Sequence, residues 1–89
     1  MSDNDLIELI LEKDADAIEF FYDKYSPLIY GLICTWLPDS ANRQQILYEV
    51  FIGFHARLAI EKSVKEGIFI SLYRLARKTV LENKKLENR

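Results

Sequence analysis

The amino-acid sequence predicts an all-α fold, a compact bundle of about four helices. Apolar residues recur every three or four positions, which is the spacing of one helix face, and they do not alternate as they do in a strand. Only three glycines and two prolines interrupt the 89 residues. With 49% hydrophobic residues, the chain is long and apolar enough to bury one core without a disulfide or a metal. We therefore treat residues 1–89 as a single domain similar in size to many small helical domains.

The first predicted helix is short and covers about residues 5–13. Leucines and isoleucines give it one apolar side. Asp3 or Asp5 is expected to cap it, because a carboxylate accepts hydrogen bonds from the free N–H groups of a helix's first turn.

The second predicted helix is the longest and covers about residues 15–37. Asp14 and Asp16 are its candidate caps. Pro27 is expected to kink this helix or to break it near Ser26, because proline lacks the backbone N–H and crowds the preceding turn. The apolar stripe of this helix is sustained for about five turns, which predicts that it faces the core. The stripe consists of Ile18, Phe21, Tyr22, Tyr25, Ile29, Leu32, Ile33 and Trp36.

The third predicted helix covers about residues 41–60 and follows Pro38. Asp39 or Ser40 is the expected cap. Its apolar positions again recur at helical spacing, so they are expected to be buried. These positions are Ile46, Leu47, Val50, Phe51, Phe54 and Leu58.

A polar connector, about residues 61–67, precedes the last predicted helix. Ser63 and Glu66 have the spacing of a capping box, which offers an early helix start. Gly67 instead favours a start near residue 68, with the helix extending over about residues 68–84. The inward positions of this helix are predicted to be Ile68, Phe69, Leu72, Leu75, Ala76, Thr79 and Val80.

The two halves of the chain carry opposite charge, although the net charge is only −2. Residues 1–45 hold nine acids and three bases, whereas residues 46–89 hold five acids and nine bases. A cationic stripe on the last helix is therefore a candidate phosphate-binding surface. A solvated helix face is the alternative, since cations also suit a helix C-terminus. The outward residues are Arg74, Arg77, Lys78, Leu81, Lys84 and Lys85, and a basic tail or linker is expected from about residue 82.

Tyr73 is placed at the edge of the predicted core and is flanked by these cations. Proteins that bind single strands combine cations for the phosphates with aromatic rings that stack on unpaired bases. The alternative is a tyrosine with a buried ring and a solvated hydroxyl. The sequence leaves both interpretations open.

No set of acid, base and nucleophile can be assembled, so we expect no enzymatic activity, no cofactor and no metal site. His55 is interpreted as a surface or boundary residue and Cys34 as a small apolar residue on a helix. A single cysteine excludes an internal disulfide and fits a reducing compartment. The N-terminus is acidic where a signal peptide is basic, and no apolar run reaches the length of about 20 residues that spans a bilayer. We therefore expect a cytoplasmic protein with no membrane association.

Three motifs, in order, resemble region 2 of bacterial RNA polymerase sigma factors of the extracytoplasmic-function type. Tyr25-Ser26-Pro27 matches a Y-x-P step in an aromatic-rich helix, and Tyr48-Glu49-Val50-Phe51 partly matches the family's QEVF. The run from Leu72 to Arg77, LYRLAR, matches the family's WLYRIARN. The resemblance covers about residues 6–87.

The resemblance implies a role in transcription initiation. In that family the third helix docks on the clamp helices of RNA polymerase core, and the connector and last helix bind the promoter −10 element and capture bases flipped from the opened strand. An anti-sigma protein is a further partner that the family suggests. By position, the polymerase-facing residues are Gln45, Tyr48, Glu49, Ile52 and His55. The DNA-facing residues are Lys62, Lys65, Tyr73, Arg74, Arg77 and Lys78, to which the cationic stripe adds Lys84 and Lys85.

Four positions depart from the family pattern. Gln45 replaces the usual aspartate and Tyr48 the glutamine, while Ser71 replaces the tryptophan and Lys78 the asparagine of WLYRIARN. Lysine still binds phosphate but changes what is read at a base edge. A sigma-like module that binds a regulatory partner without DNA is therefore the alternative function. The family's second helical domain has no counterpart here, so we expect either an N-terminal piece of a longer protein or a minimal protein, and the Met1 start favours the first.

Overall fold

The computed structural model is an all-α bundle, and it describes residues 1–39 and 41–87. The four helices are α1 (Asp3–Leu11), α2 (Ala15–Trp36), α3 (Arg43–Glu61) and α4 (Ile68–Glu87). Helix α2 packs against each of the other three, and α4 also lies along α3. The predicted fold class and number of helices are confirmed.

The core is a continuous apolar cluster to which all four helices contribute. No polar or charged side chain is buried among the described residues. Every residue of the predicted α2 and α3 stripes is buried or partly buried, as the helical spacing predicts. Fully burying such a side chain contributes about 1.5–3 kcal/mol, so the stripes dominate the stability of the bundle. The largest fully buried side chains are Phe21, Phe54, Ile7, Ile29, Ile33 and Ile46.

Helix α1 begins two residues earlier than predicted, and its cap is Ser2. The Ser2 hydroxyl accepts from the Asp5 backbone N–H at 3.2 Å, and the Asp5 carboxylate accepts from the Ser2 backbone N–H at the same distance. The prediction that Asp3 or Asp5 caps this helix is therefore wrong. Asp5 occupies the third helical position of a capping box. The hydrogen bonds from the backbone and side chain of Ser2 lower the pKa of the Asp5 carboxyl.

Helix α2 runs without interruption through Pro27, so the predicted break near Ser26 is wrong. The Asp14 carboxylate accepts from the Ala17 backbone N–H at 2.9 Å, which confirms Asp14 as the cap. An interior proline costs about 3 kcal/mol or more. Buried residues two positions before and two positions after the proline, Tyr25 and Ile29, hold both halves of the helix against the core. Their burial offsets that cost, and the proline itself faces solvent.

Helix α3 begins at Arg43, later than predicted, and Asn42 occupies the cap position without a capping bond from its side chain. Asp39 lies too far before this start to cap the helix, so that prediction is wrong. Ser40 lies outside the described residues. At the other end, Lys62 adopts a left-handed conformation with φ of 63°, and its backbone N–H bonds to the Leu58 carbonyl at 2.9 Å. This geometry ends the helix and turns the chain into the connector.

Helix α4 begins at Ile68, as Gly67 predicts, and the early start at Ser63 does not occur. It continues to Glu87, so the described part of the expected linker, residues 82–87, is helical. Six of the seven predicted inward positions are buried or partly buried. Phe69 is the exception: it is 39% exposed, because it lies toward the edge of the face that packs on the core.

The start of α4 is held by a residue of α1. The Asp3 carboxylate accepts from the Ile68 backbone N–H at 2.8 Å, which satisfies a free donor of the first turn of α4. Gly67 makes the approach possible, since its φ is +90° and an added Cβ would lie 2.9 Å from the same carboxylate oxygen. Asp3 therefore caps the last helix, not the first.

Replacing Asp3 with alanine is expected to lower the free energy of unfolding by about 1 kcal/mol, the usual effect of losing a cap. Asp3→Asn keeps an acceptor oxygen and should lose less. Urea unfolding of both variants measures the difference. Asn4→Ala, at the exposed neighbouring position, is the matched control. Equal stability of Asp3→Ala and Asn4→Ala would show that the bond to Ile68 contributes nothing.

Candidate functional site

A basic groove lies where the end of α3, the connector and α4 meet. Its volume is about 340 Å³, and it combines four cations with an apolar lining. The cations of this basic groove are Arg57, Lys65, Arg74 and Lys78. Its apolar side chains are Phe54, Leu58, Val64 and Leu75, and Ser63 and Ser71 supply hydroxyl groups. Such a groove can take a ligand that is anionic at one end and flat or apolar at the other.

Two ion pairs orient the guanidinium groups of the basic groove. Arg74 Nη1 lies 2.8 Å from a carboxylate oxygen of Glu66, and Arg57 Nε lies 3.7 Å from one of Glu61. All four side chains are about half exposed or more, so each pair contributes at most about 1 kcal/mol. Both acids also line the groove and reduce its positive charge. Lys65 and Lys78 form no ion pair among the described residues, which leaves their charge free for an anion.

A shallower depression of about 390 Å³ follows the outer face of α4. It brings together most of the residues predicted to face DNA, since Tyr73, Arg74, Arg77, Lys78 and Lys85 all line it. Arg74 and Lys78 line the basic groove as well, so the two concavities adjoin along α4. The spacing of three and four residues places these side chains on one side of the helix.

Three predicted DNA-facing residues differ in their placement. Lys65 lines the basic groove only, whereas Lys62 caps α3 and lines neither of the two concavities. Lys84 is partly buried and also lies outside both linings. The cationic surface is therefore centred on Arg74, Arg77 and Lys78.

An aromatic cluster of Trp36, Phe69 and Tyr73 joins the end of α2 to α4. The ring centroids of Trp36 and Tyr73 are 5.4 Å apart in an edge-to-face arrangement, and those of Phe69 and Tyr73 are 6.3 Å apart. The guanidinium carbon of Arg77 lies 5.3 Å from the centre of the Trp36 ring. The α2 stripe predicts only that Trp36 is packed against the core. No local motif predicts its contact with Arg77, because that contact arises where α2 packs on α4, and the two helices are far apart in the sequence.

The α3 surface, defined by Gln45, Tyr48, Glu49 and Ile52, is exposed as the resemblance expects. Tyr48 is 63% exposed and Ile52 is 49% exposed, although both are large and partly or wholly apolar. The Gln45 amide donates to the Glu49 carboxylate at 3.5 Å along the helix. Exposed apolar side chains beside a charge are typical of a protein-binding surface.

His55 differs from the other residues predicted to face polymerase because it is partly buried. Its Nε2 forms a hydrogen bond with the Tyr22 hydroxyl of α2, and its ring packs beside Phe21 and Phe54. Burial raises the pKa of the Tyr22 hydroxyl and lowers the pKa of the His55 imidazole. Both groups are therefore neutral near pH 7, and a neutral imidazole can accept a hydrogen bond from the hydroxyl group. His55 consequently joins α2 to α3 at the edge of the core.

Other kinds of site find no counterpart among the described residues. No group of three His, Cys, Asp or Glu side chains there is arranged to hold a metal ion. None of the described helices is long and apolar enough to cross a membrane. Cys34 is a partly buried free thiol. The basic groove, the outer face of α4 and the α3 surface are thus the features to explain.

Comparison with known proteins yields no relative: no protein-family model, curated protein or solved structure matches this chain. The motifs and the geometry of the described residues are therefore the basis for inferring a function.

Acidification is expected to destabilise the protein through His55. Because the pKa of folded His55 lies below the 6.5 of an ordinary histidine, the unfolded chain binds the proton first as the pH falls. The contribution of neutral His55 is complete above about pH 6.5 and is lost as the pH falls through the lower folded pKa.

Urea unfolding at about pH 7.5 and about pH 5.5 tests this expectation. The wild-type protein should lose more stability between these pH values than His55→Gln. The variant keeps every carboxylate, so it measures the loss of stability that does not depend on His55. The prediction is wrong if the two proteins lose the same amount.

Proposed function

We propose that this chain is a sigma region 2-like domain that acts in transcription initiation. It docks on RNA polymerase core through the α3 surface and binds single-stranded promoter DNA of the −10 element along α4 and the connector. The observation that carries the proposal is the pairing of the basic groove with an aromatic side chain, Tyr73, on the adjoining face of α4. Cations that hold phosphates beside rings that stack on bases are typical of single-strand binding.

The basic groove supports the capture of an unpaired base. Its apolar side chains can pack on the flat face of a base, and its hydroxyl groups can bond to base edges. Lys65 and Lys78 are placed to hold the adjacent phosphates. Ser71, which stands where the family has tryptophan, lies in the lining and is small, so the departure leaves room in the groove.

The α3 surface supports docking on a protein. Glu49 supplies a charge and Tyr48 and Ile52 supply exposed apolar area, the combination expected at the centre and rim of an interface. The three residues lie on the helix opposite to its buried stripe, so a partner can reach them without opening the core. An anti-sigma protein would compete for this same surface.

The second candidate is a protein-interaction module that binds a regulatory partner and no DNA. The departures at Gln45, Tyr48, Ser71 and Lys78 favour it, because they alter residues that the family uses for polymerase and for bases. This alternative leaves the clustered cations of α4 without a ligand. Binding to polymerase and binding to single strands, measured separately, distinguish the two candidates.

Purified RNA polymerase core should retain this chain in a pull-down at low salt, and Glu49→Lys should abolish or greatly reduce retention. A reversed charge in an interface leaves like or unpaired charges, which cost several kcal/mol. Glu12→Lys is the matched control, since it makes the same change at an exposed position between α1 and α2. Phe51→Asp disrupts the core and serves as the unfolded reference. Absence of retention for the wild-type chain would favour the interaction module.

Single-stranded DNA should bind with an affinity that falls as salt rises, and Lys78→Gln should weaken it several-fold. Removing one phosphate contact should also lower the magnitude of the slope of log K against log salt by about 0.7. Lys13→Gln, which removes an exposed cation far from α4 in the sequence, should leave affinity and slope unchanged. Fluorescence anisotropy of a labelled oligonucleotide at several salt concentrations measures both. Equal effects of the two variants would contradict a specific site on α4.

A further inference from the structure

Helix α2 contributes one residue, Trp36, to the face of α4 that carries the cations. It is the sole tryptophan of the chain, and it lies at the last position of α2. The Trp36 and Tyr73 rings pack edge to face. The Arg77 guanidinium lies over the Trp36 ring. Neither the resemblance nor the cationic stripe assigns a function to Trp36.

The aromatic cluster and the basic groove lie on different flanks of α4. The groove is completed by Phe54, Arg57 and Leu58 of α3, whereas the cluster is completed by Trp36 of α2. On α4 itself, the depression on the outer face contains residues of both flanks, among them Lys78 and Arg77. A single strand that follows the cations across α4 would therefore leave the groove and reach the cluster.

The geometry at Trp36 is that of a preformed stacking site. The Arg77 guanidinium lies over the indole, with its central carbon 5.3 Å from the ring centre, and the side chain is exposed. Nucleic-acid binders stack bases on arginine guanidinium groups as well as on aromatic rings. Tyr73 is 38% exposed beside it and offers an adjacent ring. Arg77 lines the outer depression, so its charge is open to a phosphate from the same side. Without Trp36, Arg77 would lose this cation–π contact and would be a more flexible exposed side chain.

We propose that Trp36, Tyr73 and Arg77 form a second subsite, which stacks one unpaired base of single-stranded DNA. The base contacts Tyr73 and the exposed side of the Arg77 side chain. Trp36 is a positioning residue that acts through Arg77. This inference rests on the proposed single-strand binding and adds to it a base-binding position on the α2 flank of α4.

Two oligomers of equal length test the subsite: oligothymidylate, and an abasic deoxyribose-phosphate oligomer that has the same charge but no bases. Trp36→Leu and Arg77→Lys should each lower the affinity for oligothymidylate about tenfold, which corresponds to about 1.4 kcal/mol. Affinity for the abasic oligomer should not change, because the phosphate contacts remain. Trp36→Phe keeps an aromatic ring under Arg77 and should restore part of the affinity.

The emission of Trp36 gives a second measurement on the unaltered chain. Oligothymidylate should change this emission, because a base stacked on Arg77 alters the surroundings of the indole, whereas the abasic oligomer should not. Trp36 packs against the core, so thermal unfolding checks that Trp36→Leu is folded. Arg77 is exposed, and Arg77→Lys carries the test if Trp36→Leu is unstable.

The outcomes separate the subsite from the proposed function. Equal losses of affinity for both oligomers, or no loss for either, overturn the subsite and leave single-strand binding in place. Wild-type binding that is the same for both oligomers also overturns the subsite alone. If the wild-type chain binds neither oligomer, both the subsite and the proposed contact with DNA are rejected, while the polymerase pull-down still tests docking.

Discussion

The packing of one ring, Phe21, determines how the bundle is put together. It is fully buried and lies 5.4 Å from Phe54 and 5.6 Å from Phe51, centroid to centroid, so it joins α2 to α3 through two rings one turn apart. Aromatic pairs at these distances add about 0.5–1.5 kcal/mol each to the free energy of burying their area. Since α4 packs on both α2 and α3, the surface that α4 covers depends on how these two helices meet around Phe21. The basic groove between α3 and α4 and the aromatic cluster between α2 and α4 therefore depend on that packing.

The α3 surface and the basic groove lie on different parts of the bundle, and one continuous core underlies both. The α3 surface faces away from the buried stripe of that helix, while the groove is formed by the last turns of α3 and by α4. A domain of this kind can hold a large protein partner through one helix and present a nucleic-acid strand to it along another. If the domain binds DNA as proposed, the nine acids of residues 1–45 would disfavour duplex DNA on its other faces.

Much of this architecture is readable from the spacing of apolar residues, whereas its exceptions arise from contacts between distant residues. The stripe of α2 and the Asp14 cap are local features, and both were predictable. The effect of Pro27 was not, because the burial of Tyr25 and Ile29, which offsets it, belongs to the tertiary structure. The cations of α4 were identifiable from their spacing. Their neighbours were not, since Glu66 reaches Arg74 across the turn before α4, and Trp36 reaches Arg77 from another helix.

The bond from Asp3 to Ile68 has a consequence for the order in which the protein folds. It joins residues 65 positions apart, so it closes a loop that contains most of α1, all of α2 and α3, and the connector. Closing so long a loop is entropically unfavourable until other contacts have shortened it. During synthesis, Asp3 emerges long before Ile68. The first turn of α4, which borders the basic groove, should therefore gain its final order late, after α1, α2 and α3 have associated.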